Sequence, residues 1–142
     1  MIRPAQAGDL DALISLWLTT TIEAHPFISE AYWRESEPLV RSDYLPKATT
    51  WLAEHSGELL GFLSVMEHYF IGALFVARPA QGSGIGRALM EHAKSVYPEL
   101  LLEVYKENVD AIGFYIKQGF TVISEQPHPG TGHVTYVMRW RR

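Results

Sequence analysis

This sequence predicts a mixed α/β fold in which a single layer of sheet is covered by helices. Three observations lead there. The apolar pattern switches between the helical and the strand period, in the order strand, two helices, three strands, helix, strand, helix, two strands. The stretch "LLLEV", Leu100 to Val104, is apolar almost throughout, as expected of a strand with a parallel neighbour and both faces covered. The chain has 142 residues, 47% of them hydrophobic and 12% aromatic, enough to bury one core as a single domain spanning 1–142.

Met1 to Arg3 opens the chain as a strand. Asp9 is placed to cap a helix whose buried stripe is Leu10, Leu13, Ile14 and Trp17, and which should fade in the β-branched run Thr19 to Thr21. "EAHPFISEAYW" reads as a loop or broken helix. Ser36 is placed to cap the second helix, with Pro38 in its first turn, Leu39, Val40 and Tyr44 facing inward, and Pro46 at its end. A meander follows: Thr49 to Glu54, a turn at Ser56 to Glu58, "LLGFLSVME", and Phe70 to Val76.

The third helix carries Ile85, Ala88, Leu89, His92, Ala93 and Val96 at helical spacing and stops at Pro98. After Leu100 to Val104 comes a fourth helix, Val109 to Gln118, with Gly119 as its left-handed cap. "FTVISE" and "VTYVMRW" close the chain as strands joined by the loop Gln126 to Gly132.

Composition narrows the possible chemistry. The absence of cysteine removes disulfides, thiolate metal sites and a cysteine nucleophile, and fits a reducing compartment. The N-terminus has no apolar run suited to a signal peptide, and no window approaches the roughly 18 apolar residues of a spanning helix. A cytoplasmic protein with no membrane partner is expected. Twelve bases against sixteen acids give a net charge of −4, which argues against a nucleic-acid partner. None of the six histidines forms a His-Glu-x-x-His pair, so no metal site is expected.

The stretch "QGSGIGRAL", Gln81 to Leu89, puts three alternating glycines at the start of a helix. Helix N-termini expose unpaired N–H groups and partial positive charge, and glycine lets a ligand approach the backbone. Together these make an anion cradle suited to phosphate. A P-loop requires Lys and then Ser or Thr after its last glycine, where this chain has Arg87 and Ala88. A dinucleotide fingerprint requires its third glycine where Arg87 stands, and would follow its strand without the intervening Ala77 to Gln81. Glu103 does lie near the distance of a ribose-binding acid, so that alternative stays open.

Gln81, Gly84 and Gly86 also match the pattern Gln or Arg, two residues, Gly, one residue, Gly or Ala. Further on, "LEVYKENVDAIGFYIKQGF" places Asn108, Ala111, Phe114, Tyr115, Gly119 and Phe120 after a strand. In order and spacing these two segments resemble the GNAT acetyltransferases. "HPFISEAYW" and "LLGFLSVME" resemble the small bacterial YiaC-type subgroup of that family.

The resemblance implies a mixed, mostly antiparallel central sheet of about seven strands flanked by about four helices. Two parallel strands, Phe70 to Val76 and Leu100 to Val104, would splay apart. Acetyl-CoA would be the co-substrate. Its pantetheine arm would bond the backbone of Phe75 and Val76, and its pyrophosphate would rest on Gln81, Gly82, Ser83, Gly84, Ile85 and Gly86. Asn108 would reach the arm or cap its helix, and Arg78, Arg87 and Lys94 would help neutralise phosphate.

Transfer to an amine needs that amine unprotonated, and a lysine side chain has an ordinary pKa of about 10.4. The resemblance gives Tyr115 as the acid that protonates the leaving thiolate, and Glu103 as the candidate base. Its apolar neighbours Leu101, Leu102 and Val104 would raise its pKa by partial burial. Glu67 and His68 are rivals for that role. With no cysteine, and no glycine at Gln81 to make a nucleophile elbow of Ser83, direct transfer in a ternary complex is expected, with a backbone N–H near Val76 holding the oxyanion.

Acceptor choice is expected from "TTTIEAHPFISEAYW" and "QPHPGTGH". Glu23, Tyr32, Glu67 and Tyr136 would draw the amine, Phe27 and Trp33 would form an aromatic slot or close the core, and Trp17 and Trp51 belong to the core. The subgroup implies a protein lysine or peptide acceptor, in a monomer or homodimer. A non-catalytic acyl-CoA sensor and an acetyltransferase of small amines are the alternatives.

Overall fold

The computed structural model describes residues 1–142. One sheet of seven strands runs through it in the order β1-β2-β3-β4-β5-β7-β6, with four helices on its two faces. The strands are β1 Ile2–Pro4, β2 Thr49–His55, β3 Glu58–Met66, β4 Phe70–Val76, β5 Glu99–Tyr105, β6 Thr121–Pro127 and β7 Val134–Arg141. Every pairing is antiparallel except that of β4 with β5.

On one face α1 (Leu10–Ala24) and α2 (Glu30–Leu39) cover a cluster of Leu13, Ile14, Trp17, Leu45, Leu52, Phe62 and Ala73. On the other, α3 (Ile85–Val96) and α4 (Val109–Lys117) cover a larger cluster that includes Leu63, Leu89, Met90, Leu100, Leu102, Phe120 and Met138. Leu100, Leu102 and Val104 point into that core, while Leu101 and Glu103 point the other way. Trp17 is in the core as expected. Trp51 is half-buried, stacked between His92 and Tyr97 at 5.0 and 5.9 Å.

Several local expectations are corrected. Asp9 does not cap α1; its carboxylate accepts from the Gln6 N–H at 2.7 Å and pairs with Arg3 at 3.0 Å. α1 does not fade at its threonines but runs on to Ala24. Thr20 Oγ1 donates to the Leu16 carbonyl at 2.6 Å, so its hydroxyl is satisfied inside the helix.

The second helix starts at Glu30, capped by Ser29, whose hydroxyl accepts from the Tyr32 N–H. Pro38 therefore lies inside the helix, where it removes a donor and crowds the preceding turn. The chain absorbs this with a π-helical stretch, Val40–Tyr44, before a last turn, Leu45–Lys47. The β2–β3 turn is shorter than expected, because Ser56 and Gly57 both take positive φ (52° and 78°) and close a two-residue hairpin. Val96, assigned to the inner stripe of α3, is exposed.

Candidate active site

β4 and β5 are paired only at Phe70 with Leu101 and Ile71 with Leu102. Beyond that point they part, and a cleft of about 600 Å³ opens between them. The parting begins where β4 carries an extra residue. Ser64 pairs with Ala73 and Val65 with Ile71, which leaves Gly72 bulged. A Cβ at Gly72 would lie 1.6 Å from the Tyr44 hydroxyl, so any larger residue would force Tyr44 to shift. The Tyr44 hydroxyl is buried without a partner.

The ladder decides which backbone groups β4 offers to the cleft. Ala77 N–H donates to the Leu60 carbonyl at 2.7 Å, and antiparallel pairs alternate between bonded and unbonded. Phe75 is therefore bonded to Phe62 in β3, and Leu74 and Val76 turn their N–H and C=O groups toward the cleft. This corrects the expectation for Phe75, which lines the cleft but has its backbone groups engaged elsewhere. The Val76 carbonyl accepts from Gln81 Nε2 at 3.1 Å.

At the start of α3, Gly82 and Gly84 take φ of 81° and 89°, which favours glycine at both positions. The N–H groups of Gln81 and Ser83 turn inward to Arg78 and Ala80 carbonyls, at 3.2 and 3.3 Å. Those of Gly82, Gly84, Ile85, Gly86 and Arg87 have no backbone acceptor. Free N–H groups thus gather at the start of α3, and Gln81 and Ser83 shape the turn rather than add to them. Gln81, Gly82 and Gly86 line the cleft; Ser83, Gly84 and Ile85 lie beyond its rim.

Glu103, Asn108 and Tyr115 line the same cleft. Asn108 also caps α4, its Oδ1 accepting from the Ala111 N–H at 3.4 Å. Tyr115 packs against Phe114 and Phe120, at 5.6 and 5.8 Å between ring centres, and burial pushes its phenol up to about 12. Glu103 is exposed, so the partial burial expected of it is absent; it accepts from Thr135 Oγ1 at 2.6 Å.

The other candidates scatter. Glu67 and His68 sit in the β3–β4 turn, at the paired end of β4 and away from the cleft. Lys94 is nine residues past the first residue of α3, roughly 13 Å along its axis. Its ammonium donates to the Gln118 carbonyl at the end of α4. Arg87 pairs with Glu91 on its own helix at 3.1 Å. Arg78 bridges to Glu23 at 2.9 Å across the cleft mouth, where both line a second hollow together with Phe27. Tyr136 lies under Lys106, and Tyr32 stacks on Trp33; neither lines the cleft.

The α1 side of the cleft holds groups that no sequence motif marked. His25, Trp33 and Tyr105 stand together, His25 at 5.3 Å from each of the other two rings, and Phe27 lies 5.7 Å from both His25 and Tyr105. Two buried donors there have no partner, Thr21 Oγ1 and Trp33 Nε1. For Thr21, His25, Phe27 and Trp33 the advance signal was their place in "TTTIEAHPFISEAYW", a stretch dense in aromatic and polar residues without a defining spacing; Tyr105 lies outside it, at the end of β5.

Comparison with known proteins agrees with this geometry. The sequence profile of the acetyltransferase (GNAT) family matches residues 10–120. The chain is 46% identical to the peptidyl-lysine N-acetyltransferase YiaC of Escherichia coli strain K12, over 99% of this chain and 96% of that one. The solution structure of apo YjaB from Escherichia coli superposes with a TM-score of 0.84 at 33% identity, covering 98% of this chain and 95% of that one. The PaiA N-acetyltransferase of Thermoplasma acidophilum, solved with coenzyme A, shares the fold at a TM-score of 0.83 and 21% identity, covering 100% and 98% of the two chains.

Proposed function

The chain belongs to the acetyltransferase (GNAT) family, and from that premise we propose that it moves an acetyl group from acetyl-CoA to the side-chain amine of a lysine in a protein or peptide. Transfer is direct, in a ternary complex. The single observation that carries this reading is the parting of β4 from β5 after Ile71 and Leu102, with free backbone edge, glycine cradle and Tyr115 around one cleft. The names of two relatives, the peptidyl-lysine N-acetyltransferases YiaC and YjaB, support the acceptor class.

Acetyl-CoA supplies the activated acyl group as a thioester. Val76 and Leu74 offer it a strand edge, so recognition runs through main-chain bonds. The N–H groups of Gly82, Gly84, Ile85 and Gly86 hold its pyrophosphate, while Gln81 and Ser83 fix the turn that aims them. Asn108 keeps α4 in place beside the arm. Val76 N–H is the donor nearest in kind to an oxyanion hole.

Tyr115 donates its proton toward the departing sulfur. A phenol pushed up to about 12 is protonated throughout the working pH range, so this donor is always loaded. Glu103, exposed on the cleft wall, attracts the ammonium of the acceptor. Trp33, Phe27 and Tyr105 flank an aliphatic stem and its cation.

The test is acetyl-CoA consumption against three acceptor sets: lysine peptides, lysine-free peptides with open N-termini, and small free amines. Turnover on lysine peptides is the expected result. Turnover confined to small amines would overturn the acceptor assignment. Thermal stabilisation by acetyl-CoA with no turnover on any amine would make the protein a sensor and remove the enzymatic reading.

A further inference from the structure

We infer that His25 is the proton acceptor of the reaction: its imidazole stands on the α1 wall of the cleft with Nδ1 bound to the Thr21 carbonyl and Nε2 left to face the acceptor amine. This rests on the amine transfer proposed above and adds the group that makes the amine nucleophilic.

The hydrogen bond settles the tautomer. A carbonyl oxygen only accepts, so at 2.7 Å from the Thr21 carbonyl the Nδ1 atom carries the proton. In the neutral ring Nε2 then holds a bare lone pair, and no protein group bonds it. Trp33 and Tyr105, each 5.3 Å away, and Phe27 at 5.7 Å fix the ring plane. The same residues form the slot assigned to the acceptor stem. His25, Glu103 and Tyr115 line one cleft.

Burial holds the imidazole below its ordinary value, with the Thr21 carbonyl pulling the other way, so the ring is uncharged at neutral pH. Once protonated it stands at the C-terminus of α1, where the helix carbonyls favour a cation. His25 thus presents one unbonded lone pair at Nε2, whereas Glu103 already accepts from Thr135 Oγ1, which leaves Glu103 to hold charge.

Other titratable groups surround the ring. Tyr105 on β5 touches it, and Tyr32 on α2 lies behind Trp33. His133 stacks on Phe27 and pairs with Glu107 at 3.0 Å, and His128 stacks on Tyr105. Glu23 of α1 is paired with Arg78. Glu103 and Asp110 are the cleft carboxylates without a cationic partner.

The step balances as follows. His25 Nε2 takes one proton from the acceptor ammonium, and the freed lone pair attacks the thioester carbonyl. The C–N bond forms, the C–S bond breaks, and the sulfur leaves with the bonding pair and takes the Tyr115 phenol proton, while the second proton shed by the nitrogen returns to the Tyr115 oxygen. The proton on His25 passes to solvent.

The experiment compares wild type with His25→Asn, which keeps a donor toward Thr21, and His25→Phe, which keeps the aromatic packing. With saturating acetyl-CoA, kcat/KM for a lysine peptide is measured across pH. Wild type should be flat from neutral to mildly alkaline pH. Both variants should lose about a hundredfold at neutral pH and regain it with unit slope toward the amine's own pKa of about 10.4. Variants that follow the wild-type profile overturn the assignment while leaving the transfer reading intact. A wild type that acetylates no amine overturns both. Independently of activity, the nitrogen resonances of the wild-type ring should report Nδ1–H and a bare Nε2 at neutral pH. The opposite tautomer, or a charged ring, overturns the assignment even if transfer is seen.

Discussion

On the proposed mechanism, Tyr115 is the side chain on which the proton balance at sulfur depends. Replacing it with Phe keeps the ring against Phe114 and Phe120 and removes only the donor. Tyr115→Phe should lower kcat by roughly 10²–10⁴-fold while acetyl-CoA still raises the melting temperature; both are read from one protein preparation. Its phenol and that of Tyr44 are both raised by burial, Tyr115 to about 12 and Tyr44 further. Unfolded tyrosines ionise near 10, so between that pH and the folded values the unfolded chain binds fewer protons. Stability is therefore intact below pH 10 and falls as pH rises beyond it, and Tyr44→Phe should flatten that fall in thermal melts. Tyr115, Asn108 and the glycines were legible because their residue types recur at fixed spacing. Lys94 falls outside the phosphate site because nine residues of helical rise carry it roughly 13 Å from the start of α3. The place proposed for His25 has no such signal: a single histidine before a proline follows no spacing rule, and only the fold brings it to Tyr105 and Trp33.

The strand β4 and the turn into α3 carry the proposed site, and their glycines test it separately. Gly72→Ala drives a methyl into the Tyr44 hydroxyl and should cost about 1–3 kcal/mol in urea unfolding. Gly84→Ala meets no neighbour but must hold φ of 89°, at a cost of about 1–2 kcal/mol, and should weaken acetyl-CoA binding by deforming the cradle. A Cβ at Gly86 would sit 3.5 Å from the Phe114 ring, an ordinary contact, so Gly86→Ala should change stability by less than about 0.5 kcal/mol. The succession of strands and helices along the chain followed from periodicity, since buried stripes must face a core. Helix starts did not: Ser29 and Ser36 are equally good caps by type, and tertiary packing chose the earlier one. The π-turn at Val40–Tyr44 is a local repair of Pro38 that no periodic pattern announces.

Across the molecule, one sheet is continuous except where β4 and β5 part, and the helices of the two faces meet at that gap. A ligand that binds the folded chain alone at a hundred times its Kd stabilises it by about 2.7 kcal/mol, so saturating acetyl-CoA should raise the melting temperature clearly. The measurement that decides whether this gap is the donor site is a titration of acetyl-CoA into the amide-labelled protein. The N–H resonances of Leu74, Val76, Gly82, Gly84, Ile85 and Gly86 should shift together and saturate at one affinity, while those of Glu67 and His68 stay still. Saturating acetyl-CoA that left the first group unmoved, or shifted only residues outside the cleft, would contradict the account.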